Sequence, residues 1–189
     1  MHIKPEIRIL GIDDSALIHE KVVIIGAFFR GGEQLDGILS SVITKDGMDA
    51  TDTITSMVLG SKHYGQIKVI MLDGVTFGGF NPVDINRIFE KTNIPVIVCM
   101  RSCPELEKIK LALDNLPEKE KRWAIINKAG KIYKTKTGSP IYFQLSGIDK
   151  EAALEIIRMS STHSNIPEPL RIAHLVATGV VLGESTGKA

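Results

Sequence analysis

Apolar positions along the chain follow two periods, and the change from one to the other divides it. Residues 7–12 and 21–30 are dense in β-branched and aromatic side chains, and 35–44 carries Ile38, Val42 and Ile43. Such runs, punctuated by Gly31-Gly32, predict three strands. Their connections are too short for a crossover, so the strands form an antiparallel meander. From residue 50 the period lengthens: 50–61 sets Ile54, Met57 and Val58 at helical spacing, with Asp49 or Thr51 as N-cap. Residues 67–72 predict a strand, 82–92 a helix with Asn81 as N-cap and Pro82 in its first turn, 94–100 a strand and 104–116 a helix. This alternation predicts βαβ units on a parallel sheet. Residues 123–127, 131–134 and 141–144 read as short strands or a hairpin, and 150–160 and 169–179 as helices.

With 189 residues, 43% of them hydrophobic, the chain is long enough for one domain spanning 1–189 with a substantial core. A net charge of +1 gives no global field for nucleic acid or membrane. Locally, Lys119, Lys121, Arg122, Lys128, Lys131, Lys134 and Lys136 face only Glu120. That run is either a solvated face or a surface that tracks phosphates. Cys99 and Cys103 are too few and too close for a zinc site or a disulfide, so reduced thiols are expected. No apolar stretch is long enough to span a membrane, and Met1-His2-Ile3-Lys4-Pro5 lacks a signal-peptide core; a cytoplasmic protein is expected.

The chemistry concentrates at two strand ends. Asp13 closes the first apolar run and is followed by Asp14 and Ser15; Asp73 closes the run 67–72 and precedes Gly74. Open α/β sheets bind ligands at the carboxyl ends of their strands. Two adjacent carboxylates there suit Mg²⁺, which is held by one or two carboxylates plus substrate phosphates. The plainer alternative is that these aspartates serve turns. A meander followed by parallel strands reached through helices is the layout of the α/β ribonuclease H-like fold, with a mixed sheet and flanking helices. That layout makes the first and fourth strands neighbours and brings Asp13 beside Asp73. Arg101, ending the fifth strand, and Arg30, ending the second, are candidates to bind substrate phosphate. Gly31-Gly32 and Gly78-Gly79 either admit a phosphate to the backbone or form turns. Residues 180–188 resemble a strand entering a phosphate-binding loop, but the glycine spacing is too short and no helix can follow.

The segments GIDDS, RGG, LDG, DGMDAT, MLDGVTFGGFN, PVIVCMR and PEPLRIAHLVATGVVLGES together resemble an archaeal family, domain-of-unknown-function family 99, itself similar to endonuclease V. Endonuclease V is a metal-dependent nuclease of ribonuclease H-like fold that cuts DNA or RNA near deaminated purines. The resemblance implies a Mg²⁺- or Mn²⁺-dependent nuclease-like protein acting on nucleic acid, with Asp13 and Asp73 as metal-binding, catalytic aspartates. The third acidic ligand has no matching glutamate; Asp46, Asp49 and Asp52 are the nearest acids, and Asp49, at the expected helix start, is the choice. Asp14 is an outer ligand. His174, with Arg171 one turn earlier, is either a general base from the late helix or a hydrogen-bonded core residue. The glycine, histidine, proline and arginine cluster that follows the second aspartate in endonuclease V is replaced by Val75-Thr76-Phe77-Gly78-Gly79-Phe80-Asn81, and its tyrosine-proline wedge has no counterpart. Two other readings stay open: a non-catalytic nucleic-acid-binding module, and a small-molecule phosphohydrolase.

Overall fold

A computed structural model describes residues 3–135 and 139–185, so His2, Lys136 and the tail 186–189 lie outside the described residues. Strands β1 (Arg8–Asp14), β2 (Lys21–Arg30) and β3 (Gln34–Thr44) form the expected antiparallel meander. Helix α1 (Ala50–Leu59) leads to β4 (Val69–Asp73), which pairs in parallel with β1. A small ribbon of β5 (Thr76–Phe77) and β6 (Asn81–Pro82) precedes α2 (Ile85–Thr92) and β7 (Val96–Met100), parallel to β4. Helices α3 (Leu106–Leu113) and α4 (Lys119–Lys128), strands β8 (Tyr133–Lys134) and β9 (Tyr142–Ser146), and helices α5 (Lys150–Ser160) and α6 (Glu168–Leu182) complete the chain. The sheet order is β3-β2-β1-β4-β7-β9-β8, with β8 and β9 antiparallel to their neighbours. This is the ribonuclease H-like arrangement.

Three expectations about local structure are corrected. Residues 123–127 are the middle of α4, not a strand. Ile125-Ile126 looks like strand sequence, but Ile126 and Ala129 recur at helical spacing and bury against the core. Tertiary packing here overrides local propensity. Helix α2 starts later than expected, because Asn81 and Pro82 are used in β6. Asp84 caps it instead, accepting from the backbone N–H of Asn86 and Arg87. Residues 180–182 continue α6 to a left-handed Gly183 cap and form no strand.

Alternation along the strands feeds two cores. Leu10, Ile12, Ile70, Leu72, Val96 and Val98 pack with α1 and α2 on one face. Ile9, Val69, Met71, Ile97 and Phe143 pack with α5 and Leu170 of α6 on the other. The odd-numbered residues of β1 thus face α6, and Gly11 lies directly beneath Pro169. A Cβ there would overlap the Pro169 carbonyl, so only glycine lets α6 settle onto β1. Gly11→Ala is expected to destabilise the protein by about 3 kcal/mol, the upper part of the overpacking range, because the clash is with backbone. Denaturant melts measure this, and an unchanged midpoint would contradict it. Among the described residues, no helix is long and apolar enough to cross a membrane.

Candidate metal centre on the sheet rim

Strand β1 ends in Asp13 and Asp14 and β4 ends in Asp73. The parallel register pairs Ile12 with Leu72, so the next residues, Asp13 and Asp73, are neighbours at the carboxyl ends of the strands. Helix α6 brings a third group. From Pro169, over Gly11, five residues of helix rise about 7.5 Å to His174. Two residues of strand rise about 6.7 Å from Gly11 to Asp13. The matched advances set His174 Nδ1 2.9 Å from Asp13 Oδ2. The other oxygen of Asp13 accepts the Asp14 backbone N–H at 2.8 Å. Arg101, just past β7, donates from NH1 to Asp73 Oδ2 at 3.0 Å. Asp14 points to the opposite face and accepts the backbone N–H of Gly78.

Burial pushes the Asp13 carboxyl up to about 7, against the lowering effect of His174 and with the charges of Asp73 and Asp14 adding to the rise. Asp14 and Asp73 are also raised, chiefly by burial, even though Gly78 and Arg101 respectively pull them down. Three aspartates on one rim thus resist ionising together, the condition a divalent cation relieves. Between the ordinary aspartate value of 3.8 and about 7, the folded chain holds a proton on Asp13 that the unfolded chain has lost. Metal-free stability is therefore expected to fall as pH rises through that window, by on the order of 4 kcal/mol or roughly 10 °C in Tm. Melting the chelated protein from pH 4 to 8 checks the sign; a midpoint that rises toward pH 8 contradicts it.

The structure places the other candidates elsewhere. Asp49 accepts from the Thr44 backbone N–H at 3.2 Å, the Thr44 hydroxyl at 2.9 Å and Asn81 Nδ2 at 2.6 Å. These bonds hold its pKa below the usual range and tie the end of β3 to the start of α1. The carboxylates that press on Asp13 are Asp73 and Asp14. Asp52 pairs with Arg87 at 2.7 Å on the surface, and Asp46 accepts the Phe80 N–H at 2.8 Å. Arg30 lies at the opposite end of the sheet, paired across from Arg8 and bonded to Asp36 at 3.2 Å. Because β2 runs antiparallel to β1, its carboxyl end cannot reach the rim. Gly31-Gly32 shares that far end. The Gly78-Gly79 turn gives its neighbouring N–H groups to Asp14 and Asp46, so the chain's own carboxylates occupy the position suggested for phosphate. Arg171 forms a bidentate pair with buried Glu168, at 2.7 to 3.0 Å.

Arg122 is the group the sequence concealed. It is buried and donates to the carbonyls of Pro117, Gly47, Phe80 and Asp46 at 2.7 to 2.8 Å. The guanidinium thereby pins the β3–α1 loop to the loop beside Asp14. Nothing in the sequence marks these acceptors, which are main-chain groups far along the chain.

Among the described residues, no three His, Cys, Asp or Glu side chains are arranged to hold a metal ion by themselves. The rim offers a carboxylate pair, Asp13 and Asp73, flanked by Asp14. That hard oxygen set, whose carboxyls burial raises, fits Mg²⁺ or Mn²⁺ completed by substrate oxygens.

Comparison with known proteins adds family and fold. A family model described as endonuclease dU matches residues 5–181. The UPF0215 protein of Methanosarcina barkeri is 61% identical over 189 residues, covering 100% of this chain and 97% of its own. A crystal structure of an Archaeoglobus fulgidus protein superposes with a TM-score of 0.85 at 42% identity, over 92% of this chain and 97% of that one. Ciona intestinalis endonuclease V, solved with DNA containing an inosine followed by a ribo-adenosine, gives a TM-score of 0.61 at 16% identity, over 93% and 86% of the two chains. At that identity the likeness speaks for the fold alone.

Proposed function

The chain belongs to the endonuclease dU family, and from that footing we propose that it is a divalent-metal-dependent endonuclease hydrolysing phosphodiester bonds in nucleic acid. The observation that carries this reading is the Asp13–Asp73 pair at the ends of adjacent parallel strands, with His174 on Asp13 and Arg101 on Asp73. Bound Mg²⁺ or Mn²⁺ would supply Lewis-acid stabilisation of charge on the phosphate. Asp13 and Asp73 would hold it. His174 keeps the Asp13 carboxylate in one orientation and is positioned to take up a proton released at the rim. Arg101 reaches the rim from β7, where its guanidinium can exchange Asp73 for a substrate phosphate. Support for a nucleic-acid substrate comes from the family description and from the DNA bound by Ciona endonuclease V.

The engagement of Asp49 with Thr44 and Asn81 favours a second reading, a nucleic-acid-binding module that no longer hydrolyses. One experiment separates the two. Mn²⁺ is titrated calorimetrically into wild type, Asp13→Ala and Asp73→Ala, and end-labelled single- and double-stranded DNA and RNA are incubated with wild type and metal. Saturable binding lost in both variants, with metal-dependent cleavage by wild type, supports the nuclease. Metal binding indifferent to both substitutions overturns it, and oligonucleotide binding without cleavage leaves the module.

A further inference from the structure

Strand β3 is an edge of the sheet, and its outer side is closed at both ends and open in the middle. At its start Phe28 pairs with Gly37 and Phe29 with Leu35, so Asp36 is a bulge that ends the regular ladder. At its finish the Thr44 backbone N–H points away from β2 and donates to the Asp49 carboxylate at 3.2 Å, while the next N–H, of Lys45, turns back to the Glu20 carbonyl. Backbone groups of an antiparallel strand point alternately to one side and the other. Counting back from Thr44, the N–H and C=O groups that face away from β2 are those of Val42, Ser40 and Ile38. Their side chains lie on the α6 face, in register with Val23, Ile25 and Ala27. Helix α6 packs on β1 and β2, which leaves Ile38 and Val42 44% and 49% exposed. From Gly37 to Ile43 the strand carries neither charge nor proline, the devices that blunt a solvent edge.

The open run matches itself. Laid antiparallel against a second copy about Ser40, it sets Ser40 against the partner's Ser40 and Ile38 against the partner's Val42. Each such pair exchanges two backbone hydrogen bonds, and the half-exposed apolar side chains cover one another. A register centred on Ser41 or Leu39 instead sets Val42 or Ile38 against serine, and runs the ladder into Thr44 or Asp36, where the edge is closed. Charge agrees with the pairing. Glu33 ahead of the strand, and Lys21 and Lys45 at its finish, are in no ion pair among the described residues, and antiparallel pairing brings these opposite ends together. We propose that two copies of the chain join through β3 about a two-fold axis at Ser40, making one continuous sheet of their two seven-stranded sheets. A run without cations does not suit nucleic acid, and its match to itself selects a second copy over a foreign strand. The axis stands perpendicular to the sheet, so the two rims face opposite ways. Each Asp13–Asp73 pair lies at least two strands from the axis and stays open. Assembly through β3 requires nothing of the nuclease reading.

Light scattering after size exclusion reads the mass of wild type, Val42→Lys and Ser40→Pro from low to high micromolar concentration. Wild type is expected at twice the chain mass. Val42→Lys is expected to raise the dimer dissociation constant at least about tenfold, since a charge replaces a covered valine on both copies. Ser40→Pro removes an N–H that no bond within the chain uses, so it keeps the fold and loses the dimer. Register is read by single cysteines in a Cys103→Ser background, where buried Cys99 is the other thiol. Ser40→Cys is expected to form a disulfide-linked dimer on mild oxidation, because hydrogen-bonded antiparallel partners lie about 5.5 Å apart at Cα, within disulfide range. Val42→Cys, about 14 Å from its own copy, is expected to stay unlinked. This pair of variants keeps the proposal falsifiable even where Ser40→Pro fails to fold. A wild type that is monomeric throughout overturns the proposal, and so does a dimer that Val42→Lys and Ser40→Pro both preserve. Linking through Val42→Cys but not Ser40→Cys overturns the Ser40 axis, and oligomers larger than a dimer overturn the closed pair.

Discussion

Asp13→Asn and Asp73→Asn are each expected to lower metal-supported cleavage by about 10³-fold or more while making the metal-free protein more stable at pH 8. The two effects have one cause. Burial raises both carboxyls, Asp13 to about 7 with the charge of Asp73 adding to its rise, so the folded chain pays for keeping them charged. A neutral amide of the same shape removes that cost. It also removes the anion that a divalent cation needs, and loss of charge stabilisation at a reacting phosphate exceeds the roughly 10²–10³-fold cost of one lost hydrogen-bond donor. Rates with Mn²⁺, set beside melting curves in EDTA, measure both. Lost activity with lowered stability would mean the aspartates hold the fold rather than a metal. Retained activity would move the metal elsewhere. His174, which touches Asp13 without replacing it, belongs to a smaller class: removing such a supporting group costs about 10–100-fold.

The second large effect is on stability alone. Arg122→Ala is expected to cost about 4 kcal/mol, because four carbonyls lose a charged donor and the site is left as a buried void. Arg122→Lys recovers little of this, since one ammonium cannot reproduce the planar fork that serves carbonyls on three loops. Urea unfolding with wild-type and variant protein reads the difference. A loss below 1 kcal/mol would show that water replaces the guanidinium and that the loop beside Asp14 holds itself. The same variants are expected to bind Mn²⁺ at low temperature, since neither Asp13 nor Asp73 contacts Arg122.

Much of the fold is written in local pattern. The β-branched runs of β1, β2 and β4 are one-dimensional signals, and so is the change to helical spacing at Ala50. Their order alone implies the neighbouring of β1 and β4, and with it the pairing of Asp13 and Asp73. His174 was visible only as a polar residue on an apolar helix; its partner 161 positions earlier depends on how closely α6 can approach Gly11. Asp49 shows the limit. Its place at the start of α1 is correctly read, yet whether it turns to the rim or to Thr44 depends on Asn81, brought there by the β5–β6 ribbon.

Sequence by itself determined the central strands, their carboxylate ends and the rim they share, because hydrophobic period and strand order are local properties that sum along the chain. Tertiary structure decided which cations are free and which are spent: Arg30 goes to the far end, Arg122 into a carbonyl cage, and Lys131, Lys134 and Lys150 onto tyrosine rings. Charge is nearly uniform along the run from 119 to 136, and the difference lies in which main-chain and side-chain groups the fold brings within about 3 Å of each cation, a distance set by packing between segments far apart in sequence.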